Sequence, residues 1–158
     1  MYITFLHQYQ LVISSRGALF DYCELLKPED LLKPLPSFNN ESIRNLMIHN
    51  ANTYLSWLVN YAMHKQQNLF NEEHHKDLNS IRHVFEEINL AVDEFLHHFT
   101  DTFDLPVTQP KKEDLILTTT PLQLFTHVIT HEFHHKGQIL NMSRQLGYTP
   151  VDTDIIRF

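Results

Sequence analysis

Apolar side chains recur every three or four residues in four stretches of this 158-residue chain. On an α-helix, which turns once in about 3.6 residues, that spacing places them on one face. The pattern therefore predicts four amphipathic helices, over residues 2–27, about 41–65, about 79–100 and about 121–146. Pro28 ends the first of them, since proline cannot continue the hydrogen bonding of a helix.

The fourth predicted helix has the most clearly marked ends. Thr120 is an N-cap candidate, Pro121 occupies the first helical position, and Gln123 completes a capping box. At the other end, Gly147 fits the left-handed residue that follows a helix, and Pro150 stands just beyond it. These signals define both ends of the helix.

Three long connections separate the predicted helices. Residues 28–40 contain three prolines, residues 66–78 are polar and charged, and residues 101–119 include a β-prone run that favours a short hairpin within a long loop. Four helices of similar length predict an all-α fold, a four-helix bundle in a single domain over residues 1–158. Connections this long permit crossovers, so a bundle with long crossovers fits the pattern at least as well as a simple up-down one.

Composition narrows the functional classes. The formal net charge is -7, which repels phosphate backbones and anionic membrane surfaces, so we expect neither nucleic acid nor a membrane as a partner. The one cysteine, Cys23, excludes an intrachain disulfide and a thiolate metal cluster. No apolar run approaches the ~20 residues of a membrane span, and no secretory signal is evident, so we expect a cytoplasmic location.

Twelve histidines are the unusual feature of the composition, and histidine is the commonest protein metal ligand. His127, His131 and His135 stand four residues apart, so they share one face of the fourth helix, where two adjacent rings can reach one ion. The outer two lie ~12 Å apart along the axis, so one ion takes either the first pair or the second. A further ligand must come from another helix. The candidates are His7, His49, His64, His83, His97 and His98.

Two other interpretations of these histidines remain open. A pair at this spacing is a common accident in a chain with 12 histidines, and its rings can simply make polar contacts with neighbouring helices. Residues 131–135 also spell the HExxH pattern of zinc proteases, in which Glu132 would be the general base. That chemistry needs a third ligand further along the chain. Because nothing after His135 supplies one, proteolysis is disfavoured.

Residues 127–139, HVITHEFHHKGQI, followed by RQLG at 144–147, resemble the last-helix signature of the DinB-like (damage-inducible B, or DinB/YfiT) family. The second helix is similar too, with Ser-Ile at 42–43 leading into Met-Ile-His at 47–49 and then to the stretch 54–57. The tail at 150–154 also matches, so the resemblance covers nearly the whole chain.

The resemblance implies an up-up-down-down bundle and a metal site made by His49, His131 and His135. It also implies a homodimer, and some relatives are S-transferases that use low-molecular-weight thiols. Three imidazoles leave an open position on zinc or nickel, so we expect metal-dependent thiol transfer or hydrolysis of a small molecule. The alternative is a non-catalytic metal-binding module for stress response or interaction. The expected pocket-lining or supporting residues are His127, Gln138, Asn52 and Trp57.

Overall fold

The computed structural model of the protein describes residues 2–112 and 115–157, without the side chains of 111 and 112. The chain is mostly helical, which confirms the predicted all-α character apart from one small sheet. The helices are α1 (Tyr2–Cys23), α2 (Pro28–Leu32), α3 (Ile43–Tyr54), α4 (Leu78–His98) and α5 (Pro121–Gln145). A π-helix (Leu55–Ala62) continues α3, two 3-10 turns cover Pro36–Phe38 and Glu72–His74, and the strands are β1 (Val107–Lys112) and β2 (Leu115–Thr119).

The first helix is shorter than predicted. The expected helix over 2–27 ends at Cys23 and is followed by a turn. Pro28 then begins the short helix α2, inside the stretch that the prolines predicted to be a linker. The physical reason is that proline stops a preceding helix but suits the first turn of a new one, where its missing N–H is not needed.

The predicted hairpin is present. Strands β1 and β2 pair antiparallel, from Val107 opposite Thr119 to Lys112 opposite Leu115, with a register shift between Pro110 and Lys112. Residues 113 and 114 of the predicted loop lie outside the described residues. The Tyr61 hydroxyl donates a hydrogen bond of 2.6 Å to the Leu117 carbonyl, which ties the hairpin to the π-helix.

The four long helices pack around one apolar core. Helix α1 contacts α4 and α5, and α3 contacts the same two helices. Large aromatic side chains fill the space between them, among them Tyr9, Tyr54, Phe95 and Phe125. This packing brings α3 directly against α5, the two helices that carry the predicted metal ligands. The single-domain organisation and the up-up-down-down course stay predictions.

Both ends of α5 form as predicted. Thr120 and Gln123 make the reciprocal capping box, with the Thr120 hydroxyl accepting from the Gln123 amide at 3.2 Å. Gly147 has φ +95°, and the Tyr148 amide donates to the Ser143 carbonyl at 3.0 Å, which closes the helix in a Schellman motif. Fixed ends set the position of α5, and with it the face that its histidines occupy.

Residues 66–78, which we call the strap, run antiparallel along α3 and its π-helical continuation. Asn60 exchanges two hydrogen bonds with the main chain of Gln67, at 2.8 and 2.9 Å. Asn52 does the same with Phe70, also at 2.8 and 2.9 Å. Arg44 donates to the carbonyl of Glu72 and the carboxylate of Glu73. The strap is thus attached to the helix at three points spaced eight residues apart.

Candidate metal centre

Three histidines from two helices meet in the groove between α3 and α5. His49 comes from the middle of α3, and His131 and His135 lie one turn apart on α5. Each offers one ring nitrogen, and these three nitrogens all lie within 4.8 Å of one another. Of the histidines that the sequence left open as the third ligand, His49 is the one that reaches the pair.

The distances suit a single divalent ion. The Nε2 atoms of His49 and His131 are 3.0 Å apart. Two nitrogens bound to a tetrahedral zinc at 2.0–2.1 Å lie about 3.3 Å apart, so a small adjustment brings both to one ion. Three neutral imidazoles are a donor set that zinc and nickel both accept. The three histidines can therefore hold a metal ion.

Gln138 orients one of these rings. Its amide oxygen lies 2.6 Å from Nδ1 of His135, one turn further along α5. With that oxygen as the acceptor, Nδ1 carries the proton and Nε2 keeps its lone pair for a metal. Fixing the tautomer in this way is the usual task of a hydrogen-bond partner behind a histidine ligand. The prediction that Gln138 supports the site thus has a geometric basis.

The surroundings keep the α5 rings neutral. Partial burial, followed by the proximity of His135, His49, His127 and His134, lowers the pKa of His131 to about 4. Partial burial also lowers the pKa of His135, although its hydrogen bond to Gln138 acts in the opposite direction. Since only the neutral imidazole binds a metal, both rings are in the binding form at pH 7.

His127 and Trp57 lie at one side of the cluster. The His127 ring is 5.6 Å from that of His131 and 5.3 Å from that of Trp57, measured between ring centroids. His127 is exposed, and its nitrogens do not belong to the group within 4.8 Å. The two side chains therefore form an aromatic flank beside the three histidines.

A cleft of about 540 Å³ opens on the other side, and His49 and His135 line it. Gln138 and Asn52 are also in its wall. The amide of Asn52 is engaged with both main-chain groups of Phe70, so this residue shapes the cleft by holding the strap. A cleft of this size accommodates a small molecule next to the open side of the cluster.

Glu132, the general base of the HExxH interpretation, faces away from the histidines. Its carboxylate accepts two hydrogen bonds from the Arg16 guanidinium, at 2.7 and 2.9 Å, and one from the Tyr54 hydroxyl at 2.6 Å. The residue is buried. A carboxylate held in this way cannot activate a water in the cleft, which removes the residue that metalloprotease chemistry needs.

The buried partner of Glu132 was not anticipated from the sequence. Burial lowers the pKa of Arg16, but the charge and hydrogen bond of Glu132, together with the nearby Tyr9 and Tyr54, more than offset this, so the pKa rises well above its ordinary value. A signal was available, because Arg16 falls on the apolar stripe of α1 between Val12 and Leu19, both of which are buried. A charge in such a stripe requires a partner from another helix.

Lys136 forms a second buried contact that the sequence did not reveal. Its ammonium donates to the Ser15 hydroxyl and to the Thr153 carbonyl, both at 2.6 Å, and lies 3.9 Å from the centre of the Phe133 ring. Ser15 donates to the same carbonyl at 2.6 Å. The C-terminal tail is thereby fastened to α1 and α5.

The remaining candidate ligands lie elsewhere. His64 contacts Gln109 of the hairpin, His83 pairs with Glu86 on α4, and the His97 ring lies 4.4 Å from that of Tyr2. His7 and His98 are exposed. Among the described residues, His49, His131 and His135 form the group of side chains that lie close enough together to hold one metal ion.

Two further expectations concern the cysteine and the membrane. Cys23 is buried, and burial raises the pKa of its thiol to about 12, so it is a core residue without thiolate character at neutral pH. Within residues 2–112 and 115–157, every helix is too short or too polar to cross a bilayer.

Comparison with known proteins agrees with the resemblance seen in the sequence. The chain is 25% identical over 142 residues to the uncharacterized protein YizA of Bacillus subtilis (strain 168), an alignment that covers 89% of this chain and 87% of that protein. The model of the DinB family matches residues 1–158. With a match over this entire length, the chain belongs to the DinB family.

Proposed function

We propose that the protein binds one divalent ion, zinc or nickel, on His49, His131 and His135 and uses it to transfer a low-molecular-weight thiol to an electrophile. The observation that supports this most directly is that the three ring nitrogens lie within 4.8 Å of one another, with His49 and His135 in the wall of an open cleft. A structural metal site is closed by four protein ligands, whereas three ligands leave a position for a substrate.

Thiol transfer fits the surroundings better than hydrolysis does. When bound, the ion supplies Lewis acidity, which lowers the pKa of a thiol or a water that it contacts. Metal-assisted hydrolysis also benefits from a carboxylate base at the ion. Glu132 is committed to Arg16 and Tyr54, and among the described residues the group close enough to share one ion consists of the three histidines, without a carboxylate. A thiol needs less help, because its pKa is already near 8.5. Hydrolysis of a small molecule remains the less favoured version of the same function.

In the proposed reaction, the thiolate sulfur attacks an electrophilic carbon, a carbon–sulfur bond forms, and the leaving group departs with the bonding pair. The thiol proton goes to solvent. Gln138 keeps Nε2 of His135 available for the ion, and the lowered pKa of His131 keeps that ring unprotonated. His127 and Trp57 form the flank that limits how a substrate approaches.

The second candidate is a metal-binding module without catalysis, serving stress response or interaction with other proteins. One observation favours it. His49 is exposed, so an ion held there exchanges readily with solvent, as a sensor or buffer requires. The two candidates differ in whether the loaded protein consumes thiol.

Four broader features belong to the same proposal. We infer a single domain with the up-up-down-down course of a four-helix bundle, a homodimer in solution and a cytoplasmic location. The contacts of α1 and α3 with the same two helices support the bundle. The net charge of -7 argues against nucleic acid as a partner. Light scattering during size-exclusion chromatography measures the oligomeric state directly.

Metal content tests the site itself. We expect untagged wild-type protein to carry about one zinc or nickel ion per chain by elemental analysis, and His131→Ala to carry none. His83→Ala is the matched control, because it removes an exposed histidine of α4 that lies outside the cluster. Unchanged metal content in His131→Ala would show that the ligand assignment is wrong.

Activity is tested by mixing metal-loaded protein with a small thiol and a chromogenic aryl halide. We expect product formation above the uncatalysed rate in the wild type and in His83→Ala, and the uncatalysed rate in His131→Ala. A wild type that binds its metal stoichiometrically but does not accelerate conjugation of any thiol supports the non-catalytic module instead.

A further inference from the structure

We propose that the cleft beside the three histidines selects ligands that carry a positively charged group, which Glu41 and Glu72 bind. This inference rests on the proposed function, because it names the class of small molecule that the same site accepts. It begins from the charges of the cleft wall. Apart from its histidines, the ionisable residues in that wall are these two glutamates.

The first carboxylate is held in place by a chain of hydrogen bonds. The Asn45 amide nitrogen donates to Glu41 at 2.9 Å. The Asn45 amide oxygen accepts from Ser42 at 3.0 Å and from the side chain of Arg44 at 2.9 Å. These acceptor contacts fix which way the amide points, so the Glu41 carboxylate lies at the cleft wall before any ligand arrives.

The second glutamate in the cleft wall comes from a different segment of the chain. Glu72 lies on the strap, and its carbonyl accepts a hydrogen bond from Arg44 at 3.1 Å. The guanidinium of Arg44 is itself paired with Glu73 at 2.8 Å and is not among the side chains that line the cleft. The arginine therefore anchors the strap without neutralising Glu41 or Glu72. The cleft wall therefore carries two carboxylates, one from the segment before α3 and one from the strap.

These carboxylates are not arranged as metal ligands. Among the described residues, the group of side chains close enough to share one ion consists of the three histidines. Because they lie in the same cleft of about 540 Å³ as His49 and His135, both glutamates are positioned to meet the part of a ligand that extends away from the ion. A carboxylate in such a wall attracts cations and repels anions.

Three small thiols that differ in charge test this inference. Cysteamine carries an ammonium group, 2-mercaptoethanol is neutral and 3-mercaptopropionate carries a carboxylate. The 158-residue chain is loaded with cobalt(II), and the dissociation constant of each thiol is read from the sulfur-to-cobalt absorption. For each thiol, the comparison is between the wild type and Glu41→Gln/Glu72→Gln, so the intrinsic affinity of that thiol for the metal cancels.

We expect the double variant to bind cysteamine about fivefold more weakly than the wild type, 2-mercaptoethanol about equally, and 3-mercaptopropionate more tightly. The control is Glu87→Gln/Asp101→Asn, which removes two charges at exposed positions outside the cleft and should leave all three affinities unchanged. Glu72→Gln alone removes an exposed carboxylate and should give about half of the logarithmic effect.

The outcomes separate this inference from the function on which it rests. Equal changes for all three thiols in Glu41→Gln/Glu72→Gln would overturn charge selection, while thiol binding and the proposed function would stand. Cobalt-loaded wild type whose spectrum no thiol alters would overturn the open metal position and the inference with it. Circular dichroism and cobalt stoichiometry, measured for each variant, keep a folding defect from being mistaken for either result.

Discussion

Two stripes of α5, one residue apart in sequence, behave in opposite ways. His131 and His135 face α3 and are partly exposed to solvent, and His135 also lines the cleft. Glu132 and Lys136, the residues that follow them, are buried and bonded to Arg16 and Ser15 of α1. The first, which we call the open stripe, leaves ring nitrogens available for an incoming ion. In the second, the closed stripe, every charge is satisfied within the chain.

The difference shows how one helix serves both stability and binding. A buried charge needs a partner with good geometry, so the second stripe fixes α5 against α1 in one rotational position. Rotation of a helix by one residue, about 100°, would turn the histidines away from α3. We therefore infer that two sets of contacts orient the histidines, the ion pair of Arg16 with Glu132 and the bonds of Lys136 to α1 and the tail. Substitutions can disrupt each stripe separately.

The largest effect is expected from Arg16→Leu. This change leaves the Glu132 carboxylate buried without its ion pair, and breaking such a pair costs about 3–5 kcal/mol of unfolding free energy. Urea denaturation measures the loss. In Arg16→Leu/Glu132→Leu much of the stability should return, because no charge is left unpaired. As a control, Lys65→Met removes an exposed ion pair with Glu94 and should cost at most about 1 kcal/mol.

A bound metal ion should stabilise the wild type through the open stripe, whereas removing a histidine of that stripe should cost little stability when no metal is present. At a free zinc or nickel concentration 100 times the dissociation constant, we expect the ion to stabilise the wild type by about 2.7 kcal/mol, since it binds the folded state alone. His131→Ala should show no such gain, and its stability in chelator should match that of the wild type within about 1 kcal/mol. Thermal denaturation with and without EDTA tests both statements. A metal-dependent gain in His131→Ala would contradict the assignment.

Lys136→Met tests the second contact of the closed stripe. The substitution keeps the length of the side chain but leaves the Thr153 carbonyl with one donor fewer, so we expect a loss of about 1–3 kcal/mol. Hydrogen exchange should become faster in residues 149–157, where the tail is fastened. Arg157→Met, at an exposed position, should have a smaller effect. Unchanged exchange in Lys136→Met would mean that the bonds of the tail to Ser14 and Ser15 hold it without Lys136.

Gln138→Leu should have the smallest effect on stability. Its functional effect should be confined to the affinity for the metal. Without the acceptor for Nδ1, the His135 ring loses its preferred tautomer and orientation, and metal affinity should fall about 10- to 100-fold. Competition with a chromogenic chelator measures the affinity. Gln138→Glu, which keeps an acceptor oxygen, should retain most of it. Equal losses in both variants would indicate that the amide acts through packing.

The histidine pair of α5 was predictable because its signals are local. The spacing of His131 and His135 places them on one face, and Thr120, Gln123 and Gly147 mark the ends of the helix that carries them. The choice of His49 among six candidates needed the resemblance to the family, since periodicity alone does not say which helices meet.

The closed stripe was not predicted, since its partners are far apart in sequence. Arg16 and Glu132 are separated by 116 residues, and nothing near either one indicates the other. The position of the strap along α3 was not predicted, for a different reason. Its polar composition predicts a loop but not where that loop lies, which depends on side-chain amides such as those of Asn52 and Asn60 binding its main chain.

The π-helix after α3 has a consequence for comparing this chain with its relatives. A π-helix, whose hydrogen bonds join residues five apart, has more residues per turn than an α-helix. Leu55–Ala62 therefore contains more residues than an α-helix of the same length would. A relative that lacks one residue here can return to ordinary α-helical winding. We expect alignments to open a one-position gap between 55 and 62, which leaves His49 in register and moves the equivalent of Trp57 around the helix.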